Sequence, residues 1–237
     1  MKLKVIGSGN LYSSSNSASY LIDNKILIDV PNGICKTLKN MDVDFSKITD
    51  LLITHFHGDH FFDLPFFLLY KMPYEGEFSN IYCTKEDVNK VYDITKLAFR
   101  NKAEKIKDYF KYVHDNKFKI CAYDIEKILV NHSSYIESYG YVFHEGDKYI
   151  GFTGDSTPCN NIEEMASKCQ HLICDCNDSE IMEKKSHISI DDIKKLAIKF
   201  PNCIFYTTHM HDITREKLKQ LNIKNIVILK DGDEFIF

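Results

Sequence analysis

The sequence predicts an α/β protein, one domain over residues 1–237, built as two stacked layers that each join sheet to helix. Two observations carry this. Short apolar strands alternate with helical segments in both halves of the chain, and several of those strands run straight into histidine or aspartate. Alternating elements of this kind bury a shared core, and open α/β sheets hold ligands beyond the carboxyl ends of their strands. With 44% hydrophobic and 27% charged side chains, the 237 residues can bury a sizeable core.

The elements follow in order. Residues 2–6 open a strand that breaks at Gly7-Ser8-Gly9-Asn10, and a serine-rich loop follows at 13–17. Residues 19–22 and 25–30 read as a hairpin turning at Asp23-Asn24. Asp29 lies on its second arm, as a turn residue or as a carboxylate that orients a ligating imidazole. Residues 34–38 give a short helix, 51–53 a buried strand, and Asp63-Leu64-Pro65 a helix start continued by Phe66, Phe67, Leu68 and Leu69 as core. The 72–77 stretch is a loop that could rim a site, and Ile81-Tyr82 is a short strand. From 85 to about 105, Val88, Val91, Tyr92, Thr95 and Phe99 recur at helical spacing, and 102–111 continues as a solvated helix face.

Strands are expected at 118–123, 127–130, 139–143, 149–152 and 171–176, with a helix at 162–167. Ser189-Ile190-Asp191-Asp192 resembles a capping box for a helix that buries Ile193, Leu196, Ala197 and Phe200 and stops at Pro201. A strand at 204–207, a short helix from Thr214, and a terminal strand pair at 226–229 and 234–237, turning at Asp231-Gly232, complete the chain.

Charge and cysteine usage narrow the partners. A net charge of -4 and a pI near 6.2 exclude a strongly basic nucleic-acid footprint, although bound cations can attract phosphate locally. Eight scattered cysteines without a CxxC pair suit free, mostly buried thiols in a reducing cytoplasm. Neither a signal peptide nor an 18-residue apolar span is visible, so no membrane partner is expected.

The chemistry concentrates at His55-Phe56-His57-Gly58-Asp59-His60, directly after the 51–53 strand and Thr54. Imidazole nitrogen and carboxylate oxygen are the donors that zinc and similar cations take, and a compact loop lets four such groups converge. His132, Asp155 and His209 also stand just past apolar runs.

The His55–His60 stretch resembles the HxHxDH signature of the metallo-β-lactamase superfamily. That resemblance implies a four-layer αβ/βα sandwich, with a dinuclear metal site at one edge of two packed mixed sheets. It further implies that His55, His57 and His132 hold one divalent ion, that Asp59, His60 and His209 hold the other, and that Asp155 bridges them. Zinc is the expected metal, with manganese and iron as alternatives. His209 rather than His211 matches the family's last ligand, because it follows Tyr206-Thr207-Thr208 directly.

Within the superfamily the chain is most similar to the tRNA 3′-processing endonuclease (ribonuclease Z)-like and cyclic phosphodiesterase-like branch. Ser186-His187-Ile188-Ser189 and Cys174-Asp175-Cys176 match that branch's catalytic histidine and its acidic partner. Asp59, His187 and Asp175 are therefore expected to serve the reaction, in-line attack of metal-activated hydroxide on a phosphodiester. Only the 22 residues 133–154 separate His132 from Asp155, which leaves no room for the branch's long tRNA-binding arm. The expected substrate is a small phosphodiester: a cyclic nucleotide, a cyclic phosphate or an RNA end. A homodimer is expected from the same branch. The alternative on the same site is a thioester, lactone or other acyl hydrolase, with Phe56, Phe61, Phe62 and Met210 lining an apolar pocket.

Overall fold

The computed structural model describes residues 1–72, 79–106, 110–178 and 186–237. The expected loop at 72–77 lies outside them, apart from Met72. The described chain forms two compact units. The first comprises residues 1–7, 16–114 and 231–237; the second comprises 8–15 and 115–230.

The first unit begins with β1 (Lys2–Gly7), β2 (Ser19–Ile22) and β3 (Ile26–Ile28). Asp23 and Asn24 both take positive φ, 49° and 57°, the tight-turn geometry that follows the twist of a hairpin. Then come α1 (Ile34–Asn40), β4 (Asp50–Leu52), α2 (Gly58–Phe61), α3 (Leu64–Lys71) and β5 (Ser79–Tyr82). Pro65 sits in the first turn of α3, where its missing N–H costs nothing.

The helix expected over 85–105 is two, α4 (Val88–Phe99) and α5 (Lys102–Ile106), because Arg100 turns to φ 47° and breaks the ladder. The expected solvated helix face ends there. Phe110–Val113 is instead an edge strand, β6, parallel to β5.

The second unit carries β7 (Lys117–Ile120), β8 (Tyr123–Val130), β9 (Ser138–Glu145) and β10 (Lys148–Phe152). The expected 118–123 strand is cut by a turn at Cys121, φ 52°. Next are α6 (Asn160–Lys168), β11 (His171–Asp175), α7 (Ile190–Lys199), β12 (Ile204–Thr208), α8 (Asp212–Lys219) and β13 (Ile226–Ile228). The capping box of α7 is present: Ser189 Oγ accepts from the Asp192 N–H, and the Asp192 carboxylate accepts from Ser189 N–H.

β14 (Glu234–Ile236) then returns to the first unit. It pairs antiparallel with β1, whereas β13 lies parallel to β12. The expected terminal hairpin therefore does not form, and the two strands belong to different sheets.

Among the described residues both sheets have seven strands, in the orders β14-β1-β2-β3-β4-β5-β6 and β13-β12-β11-β10-β9-β8-β7. Each contains three consecutive antiparallel pairings and three consecutive parallel ones, the antiparallel set at the β14 end of the first sheet and at the β7 end of the second. Leu51 and Leu52 are fully buried because β4 lies between two parallel neighbours with both faces covered.

In the first unit, Ile34, Leu38, Leu64, Phe67 and Val91 of the helices pack with Leu27, Leu51 and Ile81 of the sheet. Phe66, expected in this core, is 51% exposed and rests edge-on against Phe99. In the second unit, Ile162, Met165, Ile193, Leu196 and Leu218 pack with Leu172, Cys174 and Phe205. Gly140 lets α6 lie close over β9, since a Cβ there would stand 2.7 Å from the Phe152 carbonyl oxygen and 3.1 Å from Met165 Cε. All eight cysteines are free thiols. Among the described residues no helix is long and apolar enough to cross a membrane.

Candidate metal centre

In the first unit the strand ends are organised by Asp29. It follows β3 in the left-handed region, φ 59°, and is 2% exposed. Its Oδ1 accepts from the Thr54 N–H at 2.8 Å; its Oδ2 accepts from the Thr54 hydroxyl at 2.8 Å and meets His60 Nδ1 at 2.8 Å.

These bonds fix two imidazoles. A carboxylate can only accept, so His60 carries its proton on Nδ1 and keeps a lone pair on Nε2, 3.8 Å from Asp59 Oδ2. The Thr54 hydroxyl spends its one proton on Asp29 and therefore accepts from His55 Nδ1 at 3.1 Å. That leaves the His55 Nε2 lone pair facing His57 Nδ1 at 2.9 Å. Burial pushes the Asp29 carboxyl above its ordinary range, against the opposing pull of His60 and Thr54. The sequence motif contains the histidines. Thr54 as the link between Asp29 and His55 carries no signal in the sequence, since a threonine ending a strand is ordinary.

In the second unit three strand ends converge. Gly154, at φ 59°, turns the chain after β10 so that Asp155 follows, 3% exposed. Asp175 ends β11 at 1% exposure, its own N–H held by Thr153 Oγ1 at 3.0 Å. His209 follows β12 in the left-handed region, φ 54°, and its Nε2 lies 3.3 Å from Asp155 Oδ2.

His132 Nδ1 donates to the Ser186 carbonyl at 2.7 Å, leaving Nε2 toward Asp155 Oδ2 at 3.8 Å. A backbone carbonyl leaves no trace in sequence, so Ser186 was not foreseeable in this role. Asp175 Oδ2 meets His187 Nδ1 at 2.9 Å and also accepts from the Ser156 N–H at 3.1 Å. His209 Nδ1 stands 3.7 Å from Asp175 Oδ1.

Burial works to lower the pKa of His187, but the Asp175 and Asp155 carboxylates outweigh it and the net direction is up. Burial likewise works to raise Asp175, yet His187 and His209 bring it below its ordinary value. His211, left aside as a ligand, has a structural part: its Nδ1 accepts from the Ile213 N–H at the start of α8.

Both donor sets fit a divalent cation. His55 and His60 in the first unit and His132 and His187 in the second have Nδ1 committed to an oxygen, which leaves Nε2 for a ligand, the arrangement in which outer bonds fix ligating histidines. In the second unit one donor atom each from Asp155, Asp175, His187 and His209 lie within 4.8 Å of one another. Of the residues expected to line an apolar pocket in the acyl-hydrolase alternative, Phe56, Phe61 and Met210 are buried at 7%, 7% and 0% exposure, Phe56 and Phe61 within the first unit's core, while Phe62 is 52% exposed beside Phe61.

The family described as anti-Pycsar protein Apyc1 matches residues 1–231. Ribonuclease Z from Picrophilus torridus is 23% identical over 235 residues, covering 75% of this chain and 74% of that enzyme. A diphosphatase from the PhnP family has a TM-score of 0.77 at 22% identity, over 100% of this chain and 97% of that one. The metallo-β-lactamase fold protein YhfI from Bacillus subtilis has a TM-score of 0.79 at 18% identity, over 99% of this chain and 98% of that one. The fold expected from the histidine motif is thus the fold of the chain.

Proposed function

Because the chain belongs to the anti-Pycsar protein Apyc1 family, and is accordingly a metal-dependent hydrolase of phosphodiesters, we propose that its substrate is a small cyclic phosphodiester, a cyclic nucleotide foremost. The observation that carries this reading is the segment between His132 and Asp155. It consists of a short loop and the β9–β10 hairpin, with Glu145 and Lys148 joined by a turn at Gly146, and so offers no arm to grip a tRNA body. The net charge of -4 supports the same conclusion, since a long polyanion needs many cationic contacts.

In this reading, which follows the family resemblance, His55, His57 and His132 would hold one ion, Asp59, His60 and His209 would hold a second, and Asp155 would serve both. Zinc suits these donors, and manganese or iron would also be accepted. Such ions supply a hydroxide nucleophile at neutral pH and offset charge developing on the phosphoryl oxygens. His187, held on Asp175 through Nδ1, presents Nε2 to the leaving oxygen and hands it a proton. Asp175 keeps that ring in one orientation. A cytoplasmic setting, supported by the eight free thiols, and a homodimer, the state common in the branch it resembles, complete the proposal.

The test is hydrolysis of 3′,5′-cyclic nucleotides and bis(p-nitrophenyl) phosphate by zinc- or manganese-loaded protein, beside His187→Ala and a p-nitrophenyl acyl ester. Diester cleavage should fall about 10²- to 10⁴-fold in His187→Ala with metal content unchanged. Acyl-ester turnover indifferent to His187, with no diester cleavage, would overturn the proposal in favour of an acyl hydrolase.

A further inference from the structure

Beside His132 the second unit has an open cavity of about 560 Å³, within the size range of small-ligand sites. It is bounded by the loop from β8 to β9 and by Thr157, two residues beyond Asp155. Its lining is mixed, with the polar residues Ser133, Ser134, Glu137 and Thr157 beside the apolar Leu129 and Ile136.

The walls are fixed at both ends. The Asn131 carbonyl accepts from Thr157 N–H at 2.5 Å, from Thr157 Oγ1 at 3.0 Å and from Ser156 Oγ at 3.3 Å. Glu137 is held by the Tyr139 hydroxyl at 2.7 Å, and Lys127 Nζ lies 4.6 Å from the Tyr139 ring centre. Between these anchors stands Tyr135. Its backbone N–H is bonded to Ser133 Oγ at 3.3 Å, while its side chain is 93% exposed, the most exposed large hydrophobic among the described residues.

An aromatic ring left in water gains by covering a flat π-face, and any nucleobase supplies one. A fixed carboxylate and neighbouring hydroxyls supply acceptors and donors for base-edge or ribose groups. His132 forms part of the same wall, so a phosphodiester engaged at the metal centre would carry its nucleoside over this cavity.

We propose that the cavity beside His132 is a nucleoside subsite, with the base stacked on Tyr135 and its polar edge or ribose met by Glu137 and Ser133. The proposal rests on the cyclic-nucleotide reading above. It makes Tyr135 a determinant of affinity rather than of the chemical step.

The chain has no tryptophan, so Tyr135→Trp would carry the sole indole and report on the cavity directly. Titration of metal-free and metal-loaded Tyr135→Trp with 3′,5′-cyclic nucleoside monophosphates should quench its fluorescence saturably. Glycerol 1,2-cyclic phosphate, which has no base, should not. In parallel, Tyr135→Ala should raise KM for cyclic nucleotides about 5- to 150-fold with kcat nearly unchanged, and Tyr135→Phe should stay near the parent. Equal quenching by the base-free diester would overturn the subsite. So would unaltered KM in Tyr135→Ala, and in either case the parent's turnover of cyclic nucleotides would leave the broader reading intact. A metal-loaded parent that cleaves bis(p-nitrophenyl) phosphate but no cyclic nucleotide would overturn the reading itself, and the subsite with it.

Discussion

Asp29 in the first unit and Asp175 in the second make the same set of bonds. Each is a buried carboxylate at the end of a strand, each accepts from a backbone N–H beyond the neighbouring strand, and each holds the Nδ1 of one imidazole. What surrounds them differs. Asp29 faces His60 and the Thr54 hydroxyl, and burial prevails, raising its pKa. Asp175 faces His187 and, at 3.7 Å, His209, and its pKa is lowered although burial opposes this. Burial alone therefore does not set the direction of the shift, since the imidazoles beside Asp175 turn it downward. Both carboxylates orient an imidazole, and Asp175 does so with a second histidine, His209, close by.

The largest expected effects concern the two cores that hold these strand ends in place. Phe67 on α3 and Phe205 on β12 are both fully buried, and truncating either to alanine should cost about 3–5 kcal/mol in urea unfolding. Hydrogen exchange should locate the loosening in β3 to β5 for Phe67→Ala and in β10 to β12 for Phe205→Ala. Indistinguishable exchange maps would mean that the two units do not respond separately.

Substituting the carboxylates themselves sharpens the comparison. Asp29→Asn should weaken metal affinity about 10- to 100-fold in a chelator competition, with kcat at saturating metal nearly preserved. Asp175→Asn should reverse that balance, lowering kcat more than metal affinity. The same loss in both constants for both variants would erase the distinction.

Smallest is the effect at a helix start. The Ser189 capping box of α7 contrasts with α1, whose Gly33 offers no side-chain cap. Ser189→Ala should lower stability by about 1 kcal/mol, read from the urea midpoint, without altering turnover.

The sequence made the donors legible because each stands at the end of an apolar run, where strand periodicity stops and polar residues begin. Asp29 could be singled out because a carboxylate on an apolar arm demands a partner. That the partner is Thr54 together with His60 is a matter of which strands become neighbours, and no local pattern encodes it. The Ser186 carbonyl under His132 is backbone, which composition cannot report. β6 escaped notice because Lys111 and its lysine-rich approach read as a solvated helix, while parallel pairing with β5 selects a strand. The last two strands were misjoined for a related reason. Asp231-Gly232 is a sound turn signal, but the Glu234–Ile236 segment finds β1 rather than β13.

That pairing with β1 bears on how the protein is made. Lys2 is opposite Ile236, so the first sheet cannot be closed until residues 115–230, the bulk of the other unit, have left the ribosome. At ordinary rates of translation the delay is on the order of ten seconds. Throughout it β1 has β2 on one side and an open edge on the other, a template for pairing with a neighbouring nascent chain. Lys2 and Lys4 lie along that edge strand, and in the finished protein both bind Glu234, at 2.9 and 3.1 Å. Before Glu234 exists, the two ammonium groups are the edge's guard against the wrong partner; once it arrives, they receive the right one.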